Sequence, residues 1–164
     1  SADQVAAAAA RAAVGLEPGA SEQELRAAQA AVRAKLLGLL KLPAGAPAGA
    51  VRAALNKKDG NGYLPIHHAL YDKATGPELV HAMLGAGGEA MLAVPGYSTE
   101  RLPLHVAAHN SPFPAVVALL LARGPAGALR AEAVHGYTPL AYAEQWNKGP
   151  GAAEIKALLE AAIR

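Results

Sequence analysis

Residues 62–70 read GYLPIHHAL, residues 100–109 read ERLPLHVAAH and residues 136–144 read GYTPLAYAE. Laid over one another, they place proline at Pro65, Pro103 and Pro139, 38 and then 36 residues apart. Turn residues precede each copy: Asp59-Gly60-Asn61-Gly62, Pro95-Gly96-Tyr97 and His135-Gly136. A second apolar segment with helical spacing follows each, at Pro77–Leu84, Pro114–Ala122 and Ala152–Ala162. A recurrence of this length predicts stacked supersecondary units, each running turn, short helix, loop, longer helix.

The three copies share a physical logic. Proline in the first helical turn has no N–H to leave unsatisfied and a φ already suited to a helix. The residue before it, Leu64, Leu102 or Thr138, is driven toward the extended conformation. Only Thr138 has a hydroxyl that can cap a helix, so the two Leu copies require packing or another donor. Ala69, Ala107, Ala108 and Ala143 are small enough to let neighbouring helices approach closely.

Upstream, Asp3–Val14 is an Ala-rich helix candidate closed by Gly15, Pro18 and Gly19. Ser21-Glu22-Gln23-Glu24 then has the form of a capping box. Leu25, Ala28, Val32, Leu36, Leu39 and Leu40 follow at helical spacing as one apolar stripe. Pro43–Gly49 breaks that helix, and Ala50–Leu55 is a further short one.

Composition agrees with an all-α protein. About a quarter of the 164 residues are Ala, and the aromatic share is 4%. Ala favours helices and fills little volume, and runs of β-formers are few. Without any Cys, disulfides, thiolate chemistry and Cys-based metal sites are excluded, in keeping with a reducing compartment. The densest apolar run, Lys35–Leu42, is far shorter than the roughly 18 residues that a membrane span needs. The chain opens at Ser1 without the basic flank and apolar centre of a secretory signal. That start fits a processed or truncated chain whose import sequence has been removed. A soluble location in the cytoplasm or an organelle interior is expected.

The net charge of +2 is uneven: residues 1–58 have eight Lys/Arg and four Asp/Glu, residues 59–164 seven and nine. The basic half favours an acidic partner but is too dilute for a nucleic-acid footprint, so no nucleic acid is expected.

Leu102-Pro103-Leu104-His105-Val106-Ala107-Ala108 with Val116-Val117-Ala118-Leu119-Leu120 follows the pattern T-P-L-H-x-A-A then V-V-x-L-L; Leu64–Ala69 and Thr138–Ala141 follow its first part. The chain from about residue 57 to residue 164 thus resembles the ankyrin repeat family. The resemblance implies a solenoid of about three repeats, at 57–93, 94–131 and 132–164, with residues 1–56 as an N-terminal helical cap. These copies are longer than the family's period of about 33 residues, and Ala141 replaces the motif histidine in the last one. Separately, Val14–Arg26 is similar to the opening of a J-domain, but the HPD tripeptide of that family does not follow it.

In that alignment His67 and His105 are motif histidines, expected to hydrogen-bond within the turn region. The next registers face the inner, concave side of the resembled stack. They select His68, Tyr71 and Asp72, then Val106, His109 and Asn110, then Tyr142, Gln145 and Trp146. Tyr and Trp offer large contact area at low entropy cost. The turn tips form a second, weaker candidate surface: Lys57, Lys58, Asn61, Tyr63, Tyr97, Glu100, Arg101, His135 and Tyr137. A Tyr near each turn Gly suggests packing between turns before contact with a partner.

Catalytic patterns are lacking. His105 and His109 have the i, i+4 spacing of zinc enzymes, but Val106 stands where the general-base Glu would be. The glycines of Gly85–Glu89 close a helix instead of opening one, which does not suit phosphate. Asp59–Gly62 is too short for a calcium loop. The expectation is a protein with no cofactor or metal and no enzymatic activity, monomeric when alone. It would act as a protein-binding scaffold, adaptor or linker subunit. A chaperone-like or targeting factor holding a client segment is the alternative, favoured if an apolar groove, rather than a polar concave face, proves to be the largest exposed patch.

Overall fold

The structure, a computed structural model, describes all 164 residues. It is all-helical: α1 (Ala2–Ala13), α2 (Glu22–Leu39), α3 (Ala48–Leu55), α4 (Pro65–Tyr71), α5 (Pro77–Gly87), α6 (Pro103–Asn110), α7 (Pro114–Arg123), α8 (Pro139–Trp146) and α9 (Ala152–Ile163). Short 3-10 turns at Glu89–Ala93, Ala126–Arg130 and Val134–Gly136 join them. No helix is long and apolar enough to cross a membrane.

Proline opens α4 to α8, each time with an extended residue before it. The two Leu-led copies solve their capping problem with histidine. His67 Nδ1 accepts from Leu64 N at 3.0 Å, and His105 Nδ1 accepts from Leu102 N at 3.0 Å. In the third copy Thr138 Oγ1 accepts from Ala141 N at 3.2 Å instead. Ser21 caps α2 through Glu24 N at 3.0 Å. A full capping box closes on α1, where Ser1 and Gln4 satisfy each other's backbone.

Helices α4, α6 and α8 stack in one row and α5, α7 and α9 in a second, with α6 against α7 and α8 against α9. One continuous core runs from Leu36 and Leu37 on α2, through Ile66, Met83, Val106 and Leu120, to Leu159 on α9. Because α6 has a neighbour on both sides of its row, Pro103 to Ala108 are all buried.

The N-terminal helices pack differently. Helices α2 and α3 both lie on α5, while of the two only α3 also makes substantial contact with α4. The α2 stripe holds at Leu25 and Leu36, both buried, but near its end Leu37 turns inward and Leu39 stays 38% exposed. Helix α1 adds no residue to the core and is fastened by Arg11, which is 7% exposed. Its guanidinium donates to Ala20 O at 2.7 Å, Ala7 O at 3.0 Å and Glu22 Oε1 at 2.9 Å.

Candidate functional site

The turns hold the short helices in register. Tyr97 N donates to Asn61 O at 2.9 Å, and Val134 N to Thr99 O at 2.9 Å, linking each turn to the next. Tyr63 Oη and Thr99 Oγ1 are 2.6 Å apart. The tyrosines lock reciprocally onto glycines: a Cβ at Gly62 would lie 2.6 Å from the Tyr97 ring, and one at Gly96 2.4 Å from the Tyr63 ring. Only glycine permits that approach, so Tyr63 and Tyr97 pack turn against turn. Lys57, Lys58, Asn61, Glu100 and His135 remain exposed at the tips, with Lys58 Nζ 5.8 Å from the Tyr97 ring centre.

The motif histidines are connectors between levels. His67 Nε2 lies 3.2 Å from Arg101 O, and His105 Nε2 lies 2.8 Å from Ala131 O. Since each Nδ1 accepts from a backbone N–H, the ring proton sits on Nε2 and is donated to the next unit's carbonyl. Burial holds both rings below the ordinary imidazole pKa, against the raising effect of those carbonyls. With both nitrogens engaged, His105 has none to offer a metal alongside His109. In the third copy Ala141 stands in place of the motif histidine, and the Thr138 hydroxyl takes over the capping role.

Arg101 is the centre of the inner face. It reaches from the second turn between two levels, donating from Nη1 to Tyr71 Oη at 3.0 Å and from Nε to Tyr142 Oη at 3.1 Å. The guanidinium also stands 4.7 Å from the centre of the Tyr142 ring. Burial opposes its charge, but the two phenol bonds outweigh burial and keep it cationic. Tyr142 in turn contacts Trp146 at 5.2 Å, Tyr137 at 5.5 Å, His105 at 5.6 Å and His109 at 5.9 Å between ring centres. Trp146 closes the cluster against Tyr137 at 4.8 Å and His109 at 5.8 Å, and is itself 42% exposed.

Two residues expected on an open inner face are in fact interior. Val106 is 0% exposed and Tyr142 2% exposed. Each occupies a register that the preceding helix of its row covers, α4 for Val106 and α6 for Tyr142. His68, in the same register of α4, is open because α2 leans on α5 and leaves α4 uncovered there. It pairs with Asp59 Oδ2 at 2.6 Å, a bond that, with the Tyr63 N–H, holds Asp59 below the usual carboxylate range. Asn110 is also structural: its Nδ2 donates to Leu70 O at 3.1 Å and Tyr71 O at 2.7 Å, closing the end of α4. Asn147, not singled out from the sequence, does the same for α6 through Ala108 O and Ser111 O. Tyr71, His109 and Tyr137 are half-buried, and Asp72 and Gln145 exposed.

A second feature lies beside His68 and Asp72. Where α2 fails to stack on α4, a groove of about 750 Å³ remains, with Val32, Leu39, Leu79 and Phe113 among its lining residues. The sequence reading missed these four as site residues: Val32, Leu39 and Leu79 each have a place in a helical apolar pattern, from which only Leu39 departs by its exposure, and Phe113 is the extended residue that leads into α7. Neither a family model nor any curated protein matches this chain.

Proposed function

We propose that this chain is a non-catalytic protein-interaction module of the ankyrin-repeat kind, acting as scaffold, adaptor or linker subunit of a larger assembly. Its partner docks on the face of α4, α6 and α8 around Trp146. One observation carries this reading: an aromatic cluster anchored by Arg101 ends at the surface in a half-exposed Trp, held by three other rings. Because those rings are already packed, little side-chain freedom is lost when a partner arrives. The repeat pattern supports it too, with turn-to-turn bonds and connector histidines recurring from one unit to the next.

Capture from the native source, followed by mass spectrometry, tests the proposal. Trp146→Ala should weaken recovery of the specific partner by about tenfold or more, as for a buried aromatic anchor, while helicity stays unchanged. Equal recovery with Trp146→Ala and with Tyr137→Ala would remove the face.

The apolar groove favours a second reading, a factor that holds a client segment. Its size is that of ligand-binding clefts, and Leu39 is an exposed apolar side chain on its wall. On this reading the chain suppresses aggregation of an unfolded substrate and Leu39→Glu abolishes the effect; partner binding lost only with Trp146→Ala decides for the first reading.

A further inference from the structure

A half-buried guanidinium with only neutral partners is an unfinished interaction. The ion pairs of the chain are Arg11–Glu22, His68–Asp59, Arg123–Glu89 and Lys156–Glu160, and Arg101 is in none of them. Two of its five donors reach phenol oxygens. The carboxylates on α4 and its turn are engaged elsewhere: Asp59 by His68 and the Asn61 and Tyr63 N–H groups, Asp72 Oδ1 by Ala74 N. The positive field is felt nearby. His109 is held below its ordinary pKa by burial and then by the charges of Arg101 and Lys73, and its buried Nδ1 has no partner in the chain.

We infer that the partner presents an acidic side chain, Asp or Glu within an extended segment, to Arg101, with an apolar neighbour of that residue laid on Trp146. This rests on the binding face proposed above and specifies what it recognises. A carboxylate matches the forked edge of one guanidinium, and Arg101 is the cation that the tyrosines hold in place at this contact. Arg101 sits between the levels of α4 and α8, joined to Tyr71 on one and Tyr142 on the other. A bound chain therefore continues past it in both directions, which selects a side chain over a chain terminus.

Trp146 is the only Trp in the sequence, so its fluorescence reports binding at this face. Peptides selected on the full chain from a random display library are synthesised and titrated against it. We expect one fixed acidic position at which Glu→Gln in the peptide weakens binding about tenfold, the scale of a charged hydrogen bond. The same peptide change should cost nothing further on Arg101→Gln, and an intermediate amount on Arg101→Lys, which keeps charge but not the fork. Selected peptides that bind without any acidic position overturn the inference and leave the binding face standing. So does an equal Glu→Gln cost on the native chain and on Arg101→Gln. If no selected peptide moves Trp146 fluorescence, both the inference and the face fail. Should Arg101→Gln not fold, the peptide substitution on the unaltered chain still decides: no loss of affinity there overturns it.

Discussion

The two ends of this molecule are held together by different physics. From α4 to α9, side chains of one unit bond to the backbone of another: His67 to Arg101 O, His105 to Ala131 O, Asn110 to the end of α4, Asn147 to the end of α6. Each such bond is buried or partly so; the two asparagines satisfy carbonyls that a helix end would otherwise leave open, and the two histidines tie a helix start to a loop carbonyl of the next unit. From α1 to α3, contacts are sparser and more local. Arg11 ties α1 to its own turn and to the start of α2, and α2 rests on α5 without continuing a row. The array should therefore unfold as a cooperative block, whereas α1 opens independently.

His105→Ala should break this contrast most severely. It strips the acceptor from Leu102 N and the donor from Ala131 O inside the core, so urea unfolding should show a loss of about 3 kcal/mol. Asn147→Ala exposes two carbonyls to the same problem without opening a comparable cavity, and should cost about 2 kcal/mol. A fall in pH acts on the same connectors more gently, because the ring stays in place and only Nδ1 ceases to accept. His67 and His105 have folded pKa values below the ordinary 6.5, so the unfolded chain takes up protons first. Their contribution is complete above pH 6.5 and declines as pH drops below it. Urea midpoints at pH 8, 6.5 and 5 should fall along that series, less steeply in His105→Ala; a flat series would refute the argument. The smallest global effect belongs to Arg11→Ala, about 1 kcal/mol or less. Its signature is local: amide exchange in α1 should become fast while α6 remains protected. Equal acceleration in both helices would abolish the distinction between the two ends.

Much of the fold was legible because it is local. Proline at Pro65, Pro103 and Pro139, with apolar residues at helical spacing behind each, determines where helices begin and which side turns inward. The end of α2 was less legible: Leu36, Leu37, Leu39 and Leu40 are all apolar, and the angle at which α2 crosses α5 decides which is exposed. The candidate site divided in the same way. Trp146, His109 and Tyr71 do reach one cluster, yet Arg101, noted only as a turn-tip residue, proved to be its hub. Nothing in ERLPLHVAAH says that a guanidinium will meet phenols 30 residues before it and 41 after it.

By itself, then, the sequence determined the helices and a period of three units, since these follow from φ/ψ preference and the 3.6-residue periodicity of apolar side chains. Only the tertiary structure decided which equivalent positions are open. His68, Val106 and Tyr142 share a register, and the first is exposed because α4 begins its row while the other two are covered by the helix before them. Burial depends on what stacks on a residue, which periodicity along one chain segment does not encode.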